Sequence, residues 1–114
     1  MTRQSYLILL SLIGERRHGY AVIQAVVELS AGEVKLAAGT LYGNLDRLLA
    51  AGLVVSAGDE VVDGRQRRYY RATDAGAQAA QAETLRLAQL AARAQQVLDA
   101  GLRGLGPRPA LGGA

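Results

Sequence analysis

Ala37-Ala38-Gly39-Thr40-Leu41-Tyr42-Gly43-Asn44-Leu45-Asp46-Arg47-Leu48-Leu49-Ala50-Ala51-Gly52-Leu53-Val54 decides the fold. Leu41, Leu45, Leu48 and Leu49 recur at helical spacing, so one edge of a helix can face a core. Gly52 is a natural stop, because glycine takes the left-handed backbone without strain. Leu53-Val54-Val55 then reads as a strand. The opposite helix edge carries Thr40, Gly43, Asp46 and Arg47, flanked by Tyr42 and Asn44. An edge that is small, singly basic and able to hydrogen-bond suits a DNA major groove, where bulk is limited and donors are useful.

Upstream, Thr2 can cap a first helix that runs to about Ile13, with Tyr6, Leu9, Leu10 and Ile13 as its apolar edge. Gly14 ends it, and Glu15-Arg16-Arg17-His18 reads as a polar turn. A second helix over residues 19–29 turns Val22, Ile23, Val26 and Val27 inward. Ser30-Ala31-Gly32 breaks it, and residues 33–36 form a short link.

Downstream, residues 57–64 read as a loop because of Gly58 and Gly64, and residues 67–72 as a second strand. Its alternation puts Arg68, Tyr70 and Ala72 on one face and Arg67, Tyr69 and Arg71 on the other. The two strands make an antiparallel hairpin. From Thr73-Asp74 to about Gly101 the chain is rich in Ala, Gln and Leu, which are strong helix formers. Thr73 can cap this helix and Asp74 complements its dipole. Its stripe of Leu87, Leu90, Ala91, Ala94, Val97 and Leu98 needs a partner, because the first three helices already supply a core.

The bulk composition sets limits. At 114 residues the chain holds one small domain, or one domain with an arm. Tyr is its only aromatic, so Leu, Val, Ile and Ala must build the core, and a second copy would help to bury apolar surface. The net charge of +3 permits nucleic-acid binding without demanding it. The absence of cysteine removes disulfide, thiol and Cys-zinc chemistry. The apolar run over residues 6–13 is too short to span a bilayer, and charged residues stand where a signal-peptide cleavage site would be. A soluble cytoplasmic protein without metal or cofactor is expected.

The expected fold is mainly α, an α+β winged helix. It comprises a three-helix winged helix-turn-helix with a two-stranded wing, and a long C-terminal dimerisation helix. The expected boundaries are 1–73 for the DNA-binding domain, 74–105 for the dimerisation helix and 106–114 for a disordered tail.

Three blocks resemble the PadR family of bacterial transcriptional regulators. They are His18-Gly19-Tyr20-Ala21-Val22-Ile23; Gly39-Thr40-Leu41-Tyr42 with Leu45, Arg47, Leu48, Gly52 and Leu53; and Gly64-Arg65, Arg68-Tyr69-Tyr70 and Thr73 with Gly76. The resemblance spans roughly residues 6–76 and implies a dimeric repressor on an inverted-repeat operator. It also implies a single C-terminal helix as dimer interface and, in many members, release by a small-molecule effector. The chain departs from the family in three ways. Gly43 stands where proline or a larger polar residue is common. Asp59, Glu60 and Asp63 make the wing partly acidic. There is no tryptophan to trap a flat drug.

The candidate DNA-binding residues are Lys35, Thr40, Tyr42, Gly43, Asn44, Arg47, Arg65, Arg67 and Arg68. Arg47 can read a guanine edge or hold a phosphate; its bland alternative is a solvated arginine paired with Asp46 or Glu60. Thr40 and Tyr42 can donate to phosphates; the rivals are N-capping for Thr40 and packing on the second helix for Tyr42. Asn44 can meet a phosphate or a base, and Lys35 a phosphate. The wing arginines can reach the backbone or the minor groove. A lone His18 is a poor metal site and reads as a structural turn residue. One of Tyr69 and Tyr70 should enter the core. The rivals to a DNA-binding repressor are a winged-helix module that binds protein, and, more remotely, an enzyme. The enzyme reading lacks a nucleophile–base pair or a meaningful carboxylate pair.

Overall fold

A computed structural model gives the structure, and residues 1–104 of the chain are described. The elements run α1 (Arg3–Ser11), β1 (Arg17–His18), α2 (Gly19–Leu29), α3 (Ala38–Ala50), β2 (Val54–Val62), β3 (Arg65–Ala72) and α4 (Asp74–Gly104). One compact unit covers residues 1–83 and a second begins at Thr84. The described part of the second unit is helix alone.

Three helices pack around Ile8, Leu9, Leu12, Val22, Val26, Leu41 and Leu45, all fully buried. Leu48, Val54, Tyr70 and Ala80 close the same cluster. Helix α1 starts where expected, with Thr2 Oγ1 accepting from the Ser5 amide at 3.1 Å. Its core face is not the expected one. Leu7, Ile8, Leu9 and Leu12 point inward, Tyr6 and Leu10 are half-buried, and Ile13 is 41% exposed. Residues 6–13 are apolar at every position but Ser11, so periodicity cannot choose a face; packing from several sides chooses it. The Ser11 hydroxyl is buried because it donates to the Ile8 carbonyl at 2.6 Å.

Helix α3 ends in a Schellman turn. The Leu53 amide donates to the Leu48 carbonyl at 3.0 Å, with Gly52 at φ +75°. Thr73 then serves two elements. Its hydroxyl donates to the Gly52 carbonyl at 2.7 Å and accepts from the Gly76 amide at 3.0 Å, capping α4. Gly76 is required by contact, since a Cβ there would collide with the Leu53 carbonyl oxygen.

The sheet is three-stranded and antiparallel, in the order β1-β3-β2. Two features correct the sequence reading. Residues 57–62 belong to β2, and the loop shrinks to Asp63-Gly64, both at positive φ. That pair is a favoured two-residue hairpin turn. Gly58, at φ +97°, reads as a loop residue but sits in an irregularity between Ser56 and Asp59. Residues 17–18 form a third strand, with Arg17 opposite Tyr70 and His18 opposite Tyr69. Two polar residues have no periodicity to reveal them. Among the described residues, no helix is long and apolar enough to cross a membrane. The expected end of the last helix at 105 and the tail over 106–114 lie outside the described residues.

Candidate nucleic-acid interface

Helices α2 and α3 form the helix-turn-helix, and α3 splits cleanly into two faces. Leu41, Asn44, Leu45 and Leu48 are buried, while Thr40, Tyr42, Asp46 and Arg47 are exposed. Asn44 is therefore a correction: at 2% exposure it cannot meet a base or phosphate. Its Oδ1 accepts from the Ser5 hydroxyl at 2.7 Å, and its Nδ2 donates to the Thr40 carbonyl at 2.8 Å. A buried amide that finds both partners holds α1 to α3 at little cost. Thr40 is not a cap either. It lies within α3, whose N-cap is Ala37 without a side-chain bond. Lys35 is exposed in the link ahead of α3. Gly43 lies beside Arg47, whose Nη1 is 3.8 Å from the place a Cβ would take.

Tyr42 packs on the second helix, as its rival reading has it, and stays accessible. Its hydroxyl packs where a Gly19 side chain would begin, yet the residue is 47% exposed. Across from it lies the wing. His18, Gly19, Tyr20, Tyr42, Arg65, Gln66, Arg67 and Arg68 line a single open cleft of about 430 Å³. The structure thus brings Tyr42, Arg65, Arg67 and Arg68 together. Thr40, Gly43 and Arg47 follow along the outer edge of α3.

His18 is the N-cap of α2, with Nδ1 accepting from the Ala21 amide at 3.3 Å. In the neutral ring the proton then sits on Nε2, which faces Arg67 Nη1 at 3.0 Å. That contact is donor against donor, so it does not hold the guanidinium. Burial and then the Arg67 charge lower the His18 pKa, against an opposing pull from Glu60.

Two of the three wing acids, Glu60 and Asp59, pair with arginines of the same chain. Glu60 pairs with Arg16 and accepts from the Tyr69 hydroxyl at 3.1 Å. The Arg16 guanidinium lies 4.3 Å from the Tyr69 ring centre, and its Nη1 donates to the Ala57 carbonyl. Asp59 pairs with Arg68 at 3.7 Å. Glu60 is thus occupied by Arg16 rather than Arg47. Of the tyrosine pair, Tyr70 enters the core and its pKa rises with burial, while Tyr69 stays on the wing.

A family model for the transcriptional regulator PadR-like family matches residues 8–82. The chain belongs to the PadR-like family of transcriptional regulators. It is 50% identical over 64 residues to transcriptional regulator Rv3488 of Mycobacterium tuberculosis, an overlap of 56% of this chain and 59% of that relative. The match therefore spans under two thirds of the relative's length. A PadR family transcription regulator from Clostridium difficile R20291 is similar in structure with a TM-score of 0.72 at 23% identity, covering 85% of this chain and 99% of that one. Bacillus subtilis PadR, solved in complex with operator DNA, gives a TM-score of 0.64 at 20% identity, covering 74% of this chain and 48% of that one. At these identities the structural likeness concerns the fold.

In this PadR-like chain the sequence reading missed Tyr20. It is not among the candidate residues above but is 64% exposed in the cleft. The available signal was its place at the start of α2, next to the His18 cap. Arg16 was missed too, because a turn residue gives no hint that it will brace a hairpin more than forty positions away.

Proposed function

We propose that this chain is a DNA-binding transcriptional repressor that acts in the cytoplasm as a homodimer on an inverted-repeat operator. One observation carries the reading: Tyr20 and Tyr42 line the same cleft as Arg65, Arg67 and Arg68. Hydroxyls and guanidinium groups in one cleft suit the phosphates of a duplex, and the exposed edge of α3 with Thr40, Gly43 and Arg47 suits its major groove. The operator complex of Bacillus subtilis PadR supports the same partner. Two of the three wing acids do not favour a protein partner, since Asp59 and Glu60 are each matched by an arginine of the same chain.

The apolar stripe of α4 supports the dimer. Leu87, Leu90, Val97 and Leu98 are exposed, with Val97 at 71%, and Ala91 and Ala94 are exposed between them. A two-fold pairing through this stripe would set the two recognition helices about 34 Å apart, one turn of DNA. The DNA-binding part then corresponds to residues 1–73 and the pairing part to α4. Release by a small-molecule effector completes the reading. A cleft of about 650 Å³ lined in part by Leu12, Ile13, Arg16, Ala72 and Ala77 offers space for one. No catalytic role is proposed.

Fluorescence anisotropy of labelled duplexes across a salt series tests the reading. Log affinity should fall linearly with log salt, with a slope of roughly −0.9 per phosphate contacted. Binding that is absent at low salt, or indifferent to salt, would exclude it. Sedimentation of the same sample should return a dimer.

A further inference from the structure

Gly43 stands in the middle of α3 without a reason inside the chain. Glycine disfavours a helix interior, because its backbone loses most freedom on ordering. Packing explains the glycine at 19, where a Cβ would stand 2.5 Å from the Tyr42 hydroxyl. At Gly43 a Cβ meets only Arg47 Nη1, at an ordinary 3.8 Å, and φ is not positive. Alanine would fit and would favour the helix. The position is on the outer edge, away from buried Leu41, Asn44 and Leu45. The Arg47 side chain reaches back one turn, bringing Nη1 within 3.8 Å of where that Cβ would stand. Of the two glycines in α3, Gly39 has nothing within 4 Å of its Cβ position, and Gly43 is the one that the Arg47 side chain approaches.

We propose that Gly43 is a specificity-determining residue. Its missing side chain leaves a shelf from which Arg47 meets the edge of a guanine in the major groove, with the helix backbone drawn up to the same base pair. The inference rests on the DNA reading above and deepens it. Guanine fits because its O6 and N7 accept two parallel guanidinium donors. A methyl group at 43 leaves the guanidinium at an ordinary contact distance but fills part of the shelf and holds the base edge away from the helix backbone. The effect falls on discrimination between sequences, because the wing arginines keep their reach to phosphates.

The test begins with a duplex selected by the wild-type protein from a randomised library. Wild type and Gly43→Ala are then compared on that duplex, on versions with each G·C pair exchanged, and on a scrambled duplex. Both proteins are also melted. Gly43→Ala should melt higher, by roughly 2–8 °C. It should bind the selected duplex about tenfold more weakly, with a far smaller loss on the scrambled one. In an Arg47→Ala background the same substitution should cost little more, since the shelf has lost its occupant. An unchanged preference of Gly43→Ala for the selected duplex overturns the inference and leaves the DNA reading standing. So does a lower melting temperature, which would mean that the glycine serves the fold. A wild-type selection that returns no sequence removes the reading and the inference together.

Discussion

Helix α3 and the β2–β3 wing both contribute side chains to one cleft, but different forces hold them. The inner face of α3 sits in the core, with Leu41 and Leu45 at 0% exposure and Asn44 bonded on both sides of its amide. The wing buries only its base, through Val54 and Tyr70, and its outer half is tied by the strand ladder and by exposed ion pairs. The outer faces differ as well. That of α3 is small and carries one arginine, whereas β3 carries four arginines, at 65, 67, 68 and 71. A rigid, sparsely charged element suits reading, and an adjustable, basic one suits positioning on phosphates.

The sharpest way to break this contrast is through the core. Leu45→Ala should cost about 2–5 kcal/mol of stability, from lost burial and the cavity left behind. Chemical denaturation would measure it, and a loss below about 1 kcal/mol would mean that α3 is not anchored as described. Next in size is a pair of arginines. Arg47→Ala should cost roughly 1–3 kcal/mol on a selected duplex and much less on a scrambled one. Arg65→Ala should weaken both alike and reduce the salt slope by about one contact. Equal behaviour of the two variants would erase the division of labour.

A smaller effect is expected from Glu60→Gln. Its carboxylate and the Arg16 guanidinium are 45% and 43% exposed, so solvent screens the pair. The stability change should stay below about 1 kcal/mol. The wing gains one unit of positive charge, so affinity for any duplex should rise in anisotropy titrations; a fall would place Glu60 in a positive role at the interface. The smallest effect concerns pH. Arg67, Glu60, Arg16 and Tyr69 are the charged and titratable groups around the His18 ring. The native state lowers the His18 pKa, so the unfolded chain binds the extra proton more readily. This contribution to stability is whole above the ordinary value of 6.5 and declines as pH falls through it towards the lowered native value. Protonation also removes the lone pair that caps α2. Melting temperature should therefore drop modestly between about pH 7 and about pH 5, and His18→Asn, which can still cap, should flatten that drop.

Where one residue type had one physical use, the sequence was legible. Thr2, Thr73, Gly52 and the Leu41–Leu45–Leu48 spacing each pointed to a cap, a stop or a face, and the structure places them so. The bounds of α2 were readable for the same reason. Asn44 shows the limit. A polar residue on the flank of an amphipathic helix goes outward unless a partner waits inside, and that partner is the Ser5 hydroxyl, thirty-nine residues away. The face of α1 was illegible because nearly all of residues 6–13 are apolar. The length of β2 was hidden by Gly58, which sits beneath Arg16 Nη1.

Local chemistry in the chain alone determined three helices, a hairpin and a long final helix, along with a small-faced α3 beside a basic strand. Turns, caps and periodicity act over a few residues, so they can be read without the rest of the molecule. Only the tertiary structure decided which side of α1 is inside, that Asn44 braces the core, that residues 17–18 add a strand, and that Tyr20 joins Tyr42 and the wing arginines. Each of these depends on groups far apart in sequence that meet only when the core closes, and burial, not local preference, selects among the alternatives.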